Sequence, residues 1–464
     1  MTPDGKLQKE RAAIPSQAEL ERELNSFDPD VRAGALERLL TLAEAGGIAC
    51  RPWTERSNLH AHSFHSYNAR GFSPSALAWV ARREGIGLMG IVDFDTLAGT
   101  EEFLTACDRA GVHGTAGIET RVWLPALAGK VVNSPGEPGV AYMMGIGFTR
   151  TPPPPPAREV LDELGRGARA RNSALIDRIN ARLPEVAIDR ARDVEPLSPS
   201  GTPTERHIVR AYAERAAGAS EEPAAFWARA FDEPADRVPD TAEPASPEFG
   251  NWLRARLIKR GGIGYLPPGP DTFPPAETFI RFIEECSALP CAAWLDGTSA
   301  GERDPEALLD LYLDLGILVI NIIPDRNWNL TDKQGRAEKI YHLHALVAAA
   351  RWRGLPVIAG TEMNAPGQKL VDDFVAPALA PLRRTLTDGA WFVRGHTIMQ
   401  EETGLGWWSG WAGHHLPERT DRVAFYTRLA RALPPGELGL EVVAGLNADL
   451  EPAAMLARIG RREI

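Results

Sequence analysis

The sequence predicts an α/β protein whose main body is a barrel of parallel strands alternating with helices. A short apolar run at 88–92 and a second predicted strand at 112–118 are separated by a helical pattern at 96–110. The same alternation returns between 279 and 359. Strands that alternate with helices are typical of βα units and a parallel sheet. Charged residues follow several of these strands, and α/β barrels gather their chemistry at the carboxyl ends of their strands.

We expect the barrel to begin near Ser57. Ser73 and Pro74 are a typical N-cap and first residue of a helix, which we expect to run to Arg83 and to stop at Gly85. The apolar patterns predict further strands at 140–148, 291–295, 317–323 and 355–359, and further helices at 279–288, 305–315 and 339–353.

Two extensions and one insertion flank and interrupt this barrel. Residues 1–16 look like a disordered leader, and two helices follow within 16–44, with Asp28 or Asp30 as the cap of the second. This N-terminal arm either packs on the main body or serves oligomerisation. A proline run at 152–156 is typical of a stiff spacer, and an exposed loop is expected at 232–249. The predicted divisions are an arm at 1–56, a first barrel part at 57–150, a mostly helical insertion at 151–260, a second barrel part at 261–375 and a C-terminal extension at 376–464.

Composition limits the classes of partner. The chain has 464 residues, with 51 basic against 62 acidic side chains and a net charge of −11. A net acidic protein repels a phosphate backbone, so we expect no nucleic acid partner, although a local basic cleft for one small phosphorylated ligand is compatible with it. The four cysteines form no C-x-x-C pair, no secretory signal is visible, and no apolar run approaches the length of a membrane span. These features predict a cytoplasmic protein with reduced thiols and no membrane contact, and they leave its oligomeric state open.

A candidate metal site is formed by polar residues at predicted strand ends. His60 and His62 alternate along an extended segment, so their side chains point to the same side and can chelate one divalent ion. Asp93 ends the second strand, Glu119 ends the third, and Glu362 follows the last. Buried carboxylates are costly without partners, which favours a shared cation over packing alone.

These motifs resemble those of the PHP (polymerase and histidinol phosphatase) superfamily, whose pattern is H-x-H, T-D-H-D, G-x-E, A-H-P and G-S-D-x-H. The first and third are present here, and the resemblance covers residues 57–375. It implies a distorted TIM-like (β/α)7 barrel with a helical insertion. It also implies a divalent ion (Mn, Zn or Mg) held by His60, His62, Glu119 and Glu362, the last in place of an aspartate.

The other three motifs depart from the family pattern. Phe94 stands at the histidine of T-D-H-D, Trp294 lies in the stretch that replaces A-H-P, and Asn364 takes the last histidine. Since Phe and Trp cannot ligate a metal, we expect one ion rather than three. His65 is a spare candidate ligand at a different spacing.

Catalytic roles are expected for Asp93, Arg121 and His207. Asp93 would act as general base or would fix a histidine tautomer. Arg121 lies two residues past Glu119 and would meet an anionic substrate, or else form a salt bridge with a neighbouring acid. His207 aligns with the family's G-R-P-H stretch, and Arg206 and Arg326 are further candidates. Asp95 is expected to cap a helix beginning at Thr96.

The resemblance implies a metal-dependent phosphoesterase acting on a small, anionic phosphorylated compound through a metal-bound hydroxide. One alternative is a degenerate barrel that binds a small anion or sugar without turnover, and another is a one-metal lyase or isomerase. The tryptophan-rich loop at 404–411 would be a hydrophobic clasp for the C-terminal tail or a stacking platform for a sugar or base. His414 and His415 are expected at the surface.

Overall fold

The computed structural model describes residues 15–460, so residues 1–14 of the expected leader lie outside the described residues. The seven strands are β1 (Thr54–Ala61), β2 (Ile86–Phe94), β3 (His113–Trp123), β4 (Val140–Phe148), β5 (Leu289–Trp294), β6 (Val319–Ile322) and β7 (Val357–Ala359). The helices are α1 (Gln17–Glu23), α2 (Pro29–Glu44), α3 (Pro74–Arg83), α4 (Thr100–Ala110), α5 (Pro155–Arg182), α6 (Glu205–Ala219), α7 (Pro223–Ala230), α8 (Pro247–Leu257), α9 (Ala276–Glu285), α10 (Pro305–Asp314), α11 (Asp325–Trp328), α12 (Lys333–Trp352), α13 (Arg383–Thr403), α14 (Gly410–His415), α15 (Arg419–Arg431), α16 (Glu437–Ala444) and α17 (Pro452–Gly460).

The strands form one sheet in sequence order that is nearly closed into a barrel. A parallel bridge joins Ala61, at the end of the first strand, to Glu362, three residues beyond the end of the last strand. The α/β class and the barrel-like sheet agree with the prediction. The expectation of an all-parallel sheet is wrong, because β4 runs antiparallel to both β3 and β5. Antiparallel strands need no helical crossover, and only one short 3-10 turn lies between β3 and β4.

The N-terminal arm packs on the barrel. Leu20, Leu36 and Leu39 join one apolar cluster with Leu77 and Trp79 of α3. Asp28 caps α2 by accepting a hydrogen bond from the amide of Asp30 at 2.9 Å. Burial of this apolar surface fixes the arm against the body.

The insertion has a hydrophobic core of its own. Trp227, Phe249 and Tyr212 are its largest fully buried side chains. Its first helix, α5, begins at Pro155, so the last two prolines of the 152–156 run form the first helical turn instead of a spacer. Proline suits that position because its φ is already helical and its missing N–H is not needed there.

The C-terminal extension covers the barrel at its far side. Its long helix, α13, is buried along most of its length and contacts β1, β3, β4 and β7. Trp407 and Trp411 are buried in the same apolar cluster as α15 and α17. The loop at 404–411 is therefore a hydrophobic clasp. Among the described residues, no helix is both long enough and apolar enough to cross a membrane.

Candidate metal centre

Three predicted ligands meet at the carboxyl end of β1 and within β3. His60, His62 and Glu119 offer ligand atoms that all lie within 4.8 Å of one another. The Nε2 atoms of His60 and His62 each lie 3.3 Å from Oε2 of Glu119. All three side chains are almost fully buried. Among residues 15–460 they form the one group of three or more potential metal ligands.

The hydrogen bonds around His62 place its ring proton on Nδ1. The single hydroxyl hydrogen of Ser66 is donated to Oδ1 of Asp93 at 2.7 Å. Its Oγ must therefore accept at 3.1 Å from Nδ1 of His62. In the neutral ring, Nε2 then holds a lone pair, and this buried atom has no hydrogen-bond partner in the part of the chain described here.

His60 is oriented in the same way by a different residue. Its Nδ1 donates to Oδ1 of Asn321 at 2.9 Å, and Asn321 is fully buried in β6. The Nε2 lone pair of His60 therefore also faces Glu119. With both rings neutral, two imidazole lone pairs and a carboxylate oxygen at this distance repel one another unless a cation lies between them. A proton on Nε2 of His60, donated to Oε2 of Glu119 at 3.3 Å, also relieves this repulsion. A divalent ion fits this donor set, because two histidines and a carboxylate are common zinc and transition-metal ligands.

The charges of the cluster are consistent with that interpretation. Burial alone would raise the pKa of Glu119, but His60 and His62 lower it to about 2. Burial lowers the pKa of His60, but the Glu119 and Glu362 carboxylates and the hydrogen bond with Asn321 together raise it above its usual value. The carboxylate is therefore ionised and ready to bind a cation.

Glu362 lies beside this cluster but its carboxylate points to other partners. Its amide donates to the carbonyl of His60 at 2.7 Å, and its carbonyl accepts from the amide of His62 at 2.8 Å. Its carboxylate is hydrogen bonded to the guanidinium of Arg326 and, at 3.0 Å, to Nε2 of Gln368. Glu362 has a φ of 61°, a left-handed conformation that is rare for a residue with a side chain and that clusters at functional sites. Its predicted role as a ligand stays a prediction.

Two of the three residues that depart from the family pattern, Phe94 and Trp294, are aromatic. Phe94 stacks on His62, with ring centroids 4.4 Å apart and an interplanar angle of 24°. Trp294 is fully buried. His65 is buried away from the cluster, and neither of its ring nitrogens has a hydrogen-bond partner among the described residues. The described residues contain no second group of three potential ligands, and the expected number of ions stays a prediction.

Asp93 holds the segment that carries the histidines. It accepts from the amide and hydroxyl of Ser63 at 2.8 and 2.6 Å and from the hydroxyl of Ser66. It is buried beneath the cluster and does not line the cavity above it. Asp93 therefore reaches His62 only through Ser66, and its two predicted roles, as general base and in fixing a histidine tautomer, stay predictions.

Arg121 lines the cavity and also forms the salt bridge that was its alternative role. It lies 3.3 Å from Glu137 and 4.2 Å above the ring of Phe273.

The prediction that Asp95 caps a helix at Thr96 is wrong, because that helix begins at Thr100 and is preceded by Gly99. Asp95 instead accepts from Thr120 at 2.5 Å and contacts Arg171 at 3.3 Å, with a φ of 55°.

His207 does not reach the cavity wall. Its Nδ1 accepts from the amide of Thr204 at 3.0 Å, which makes it part of the N-terminal cap of α6. Burial lowers the pKa of His207 to about 4. Its ring packs edge-on against Tyr67 at 5.5 Å. The structure therefore assigns it a capping contact, and its catalytic role is left without a supporting contact. Arg206, the adjacent residue, lines the cavity.

A cavity of about 670 Å³ opens above Glu119 between the barrel and the insertion. Cations outnumber carboxylates on its wall although the whole chain is acidic. The cations are Arg121, Arg169, Arg171, Arg178, Arg206, Arg254, Lys259, Arg260 and Arg326, and the carboxylates are Asp95, Glu119, Glu137, Glu205 and Glu362. Such a cleft attracts anions by focusing positive potential.

Sequence reasoning missed Asn321, Ser66 and, apart from Arg206, the cations of the insertion. Asn321 could have been found as the one amide within the apolar run 317–323. Ser66 lies one residue beyond His65 and had no spacing that marked it. The insertion cations were hidden in a segment rich in arginine, since only the fold determines which of them face the barrel.

The fold and the site define an α/β protein with a nearly closed mixed barrel and a candidate His-His-Glu metal centre. No protein-family model and no curated protein matches the sequence. Among solved structures, the chain is similar to an amidohydrolase from Chromobacterium violaceum with bound sulfate and no metal. Identity is 17%, the TM-score is 0.48, and the match covers 72% of this chain and 96% of that one. A protein named as a metal-dependent phosphoesterase from Bifidobacterium adolescentis matches with 18% identity, a TM-score of 0.42 and coverages of 72% and 98%. Both TM-scores are below 0.5, so the proposals below rest on the geometry of the site itself.

Proposed function

We propose that this protein is a metal-dependent hydrolase that cleaves a small phosphorylated compound. The observation that supports this most is the buried group of His60, His62 and Glu119, because Glu119 lines a cavity whose charged wall residues are mostly cations. The H-x-H and G-x-E motifs, which resemble those of the PHP superfamily, lead to the same class. A divalent ion supplies Lewis-acid polarisation of a phosphoryl oxygen and lowers the pKa of water.

The chain's own residues bind and orient the substrate in this proposal. Arg121 and Arg326 lie on the cavity wall at the ends of β3 and β6 and donate to phosphoryl oxygens. Guanidinium groups suit this task because their planar donors match a phosphate in pairs. Ser66 and Asn321 hold the two imidazoles so that both Nε2 atoms face the same point.

A second candidate function is binding of a small anion without turnover. The pairing of Glu362 with Arg326 favours it, because a carboxylate engaged by a guanidinium is not free for a metal. Such a protein would bind phosphate whether or not a divalent ion was present.

Metal analysis of the purified protein, followed by a chromogenic phosphoester assay with added manganese or zinc, tests the proposal. We expect one equivalent of metal per chain and a metal-dependent rate. His60→Ala and Glu119→Gln should abolish both, while His414→Ala, an exposed histidine in α14, should change neither. An inert protein that binds no metal but retains phosphate would favour the second candidate and reject the first.

A further inference from the structure

The insertion contributes a separate group of cations to the cavity wall. Arg206 lies in the first turn of α6, Arg254 in the last turn of α8, and Lys259 just after α8. All three line the same cavity as Glu119. We call these three side chains the insertion cations.

One carboxylate, Glu205, pairs with two of these three cations. Oε1 of Glu205 accepts from Nε and Nη2 of Arg254, the former at 2.7 Å, and from Nζ of Lys259 at 2.8 Å. Arg206 has no carboxylate partner in the described chain. It donates to the neutral amide oxygen of Asn251 at 2.7 Å and lies over the ring of Tyr67 at 5.6 Å. Three positive charges against one negative charge leave two uncompensated.

The uncompensated cations are close enough to disfavour one another. Burial lowers the pKa of Arg206 and the neighbouring Arg254 lowers it further, and these two effects outweigh the opposing ones of Tyr67, Glu205 and Glu362. Burial also lowers the pKa of Lys259, where Glu205 opposes the effect and Arg254 adds to it. Like charges held together in a partly closed space are relieved by an anion, and an anion of charge −2 would balance this group.

We propose that Arg206, Arg254 and Lys259 form a second anion-binding subsite that takes a phosphate group. The substrate of the proposed hydrolase would then carry two phosphates, one held here and one cleaved at the histidine cluster. The substrate assignment rests on the proposed function, whereas the subsite itself does not. The proposed subsite explains why cations are concentrated on this part of the cavity wall although the whole chain is acidic.

Binding of inorganic phosphate to metal-free protein tests the subsite alone. The protein is treated with a chelator and carries His60→Ala, so that the histidine cluster holds no ion, and phosphate is titrated by calorimetry. We expect binding that weakens about tenfold or more in Arg206→Gln and in Lys259→Gln, as for the loss of one charge-assisted hydrogen bond. Arg210→Gln, an exposed arginine of α6 paired with Glu214, is the matched control and should bind as the parent does.

Of the two substitutions, Arg206→Gln disturbs the surrounding ion pairs less, so loss of binding in this variant is not explained by a folding defect. Its partner Asn251 is neutral, so this substitution leaves no carboxylate unpaired, whereas Lys259→Gln leaves Glu205 with Arg254 alone. Equal thermal melting of the variants confirms that they are folded. Phosphate binding that is absent, or that survives both substitutions unchanged, overturns the subsite.

Inhibition of p-nitrophenyl phosphate hydrolysis then tests the substrate class. Fructose 1,6-bisphosphate should inhibit at least about tenfold more strongly than fructose 6-phosphate, and the advantage should vanish in Arg206→Gln but persist in Arg210→Gln. Equal inhibition by the two sugar phosphates would reject a substrate with two phosphates but would leave the proposed hydrolase activity unaffected. Phosphate binding that depends on the insertion cations, without hydrolysis under any metal, rejects the proposed function and keeps the subsite.

Discussion

Ser66 holds His62 in place through a 3.1 Å hydrogen bond between its Oγ and Nδ1 of the imidazole. The same hydroxyl donates to Asp93, so a buried carboxylate acts on the histidine through one intervening serine. Residues that orient ligating histidines in this way commonly change metal affinity by 10- to 100-fold when they are lost. The relationship makes Ser66 a positioning residue that can be tested separately from the ligands.

Ser66→Ala should weaken metal binding by about tenfold or more, because the imidazole loses its acceptor and can rotate. Titration with manganese or zinc measures the affinity directly. Ser57→Ala is the matched control, since Ser57 is equally buried in β1 and its hydroxyl has no partner in the described chain. Equal affinities of the two variants would mean that the orientation of His62 does not depend on Ser66.

Arg326→Gln should raise metal affinity and impair substrate binding at once. The substitution removes a cation that lies against Glu362 and releases that carboxylate toward the histidine cluster. We expect metal affinity to increase by about tenfold, equal to ~1.4 kcal/mol, and KM for a phosphoester to rise. Lys369→Gln is the control, because Lys369 is a nearby cation that pairs with Asp325 at 2.8 Å and not with Glu362. An unchanged affinity would show that Glu362 does not reach the ion.

His113 should make the protein less stable in mild acid. Burial, and to a smaller extent Arg394, lower the pKa of His113 to about 3, whereas in the unfolded chain it is about 6.5. Between these values the unfolded state binds more protons, so the free energy of unfolding falls as the pH is lowered through this range. One such histidine contributes about 1.4 kcal/mol per pH unit.

His113→Phe should therefore flatten the pH dependence below 6.5 by up to about that amount and leave it unchanged above pH 7. Phenylalanine retains the edge-to-face contact with Trp391, whose ring centroid lies 4.9 Å away. Chemical denaturation at several pH values between 4.5 and 7.5 measures the slope. His414→Ala, which changes an exposed histidine, provides the comparison. If both variants keep the parent slope, the acid sensitivity arises elsewhere.

The core of the candidate site could be predicted from sequence because strand geometry is periodic. Alternate residues of an extended strand share a face, so His60 and His62 were expected to converge, and Glu119 was expected at the end of a neighbouring strand. The direction of β4 could not be predicted, since its apolar pattern fits a parallel or an antiparallel strand equally well. Pairing of Glu362 with Arg326 depends on the loops after β6 and β7, and spacing along the chain does not determine their relative positions.

Trp411 should prove to be the anchor of the C-terminal extension. Its ring is buried against Phe425 with centroids 5.4 Å apart, and its Nε1 donates to the carbonyl of Leu450 at 3.0 Å. Replacing a buried tryptophan by alanine leaves a cavity and removes this hydrogen bond, so Trp411→Ala should lower the free energy of unfolding by about 3–5 kcal/mol. Trp352→Ala removes the same atoms from a side chain that is 88% exposed, and it should change stability by no more than about 0.5 kcal/mol. Because both substitutions replace tryptophan by alanine, any difference between the unfolding free energies of the two variants is due to the burial of Trp411. If Trp411→Ala were as mild as Trp352→Ala, α15 and α17 would be held to the barrel by other contacts, and the clasp would have no energetic role.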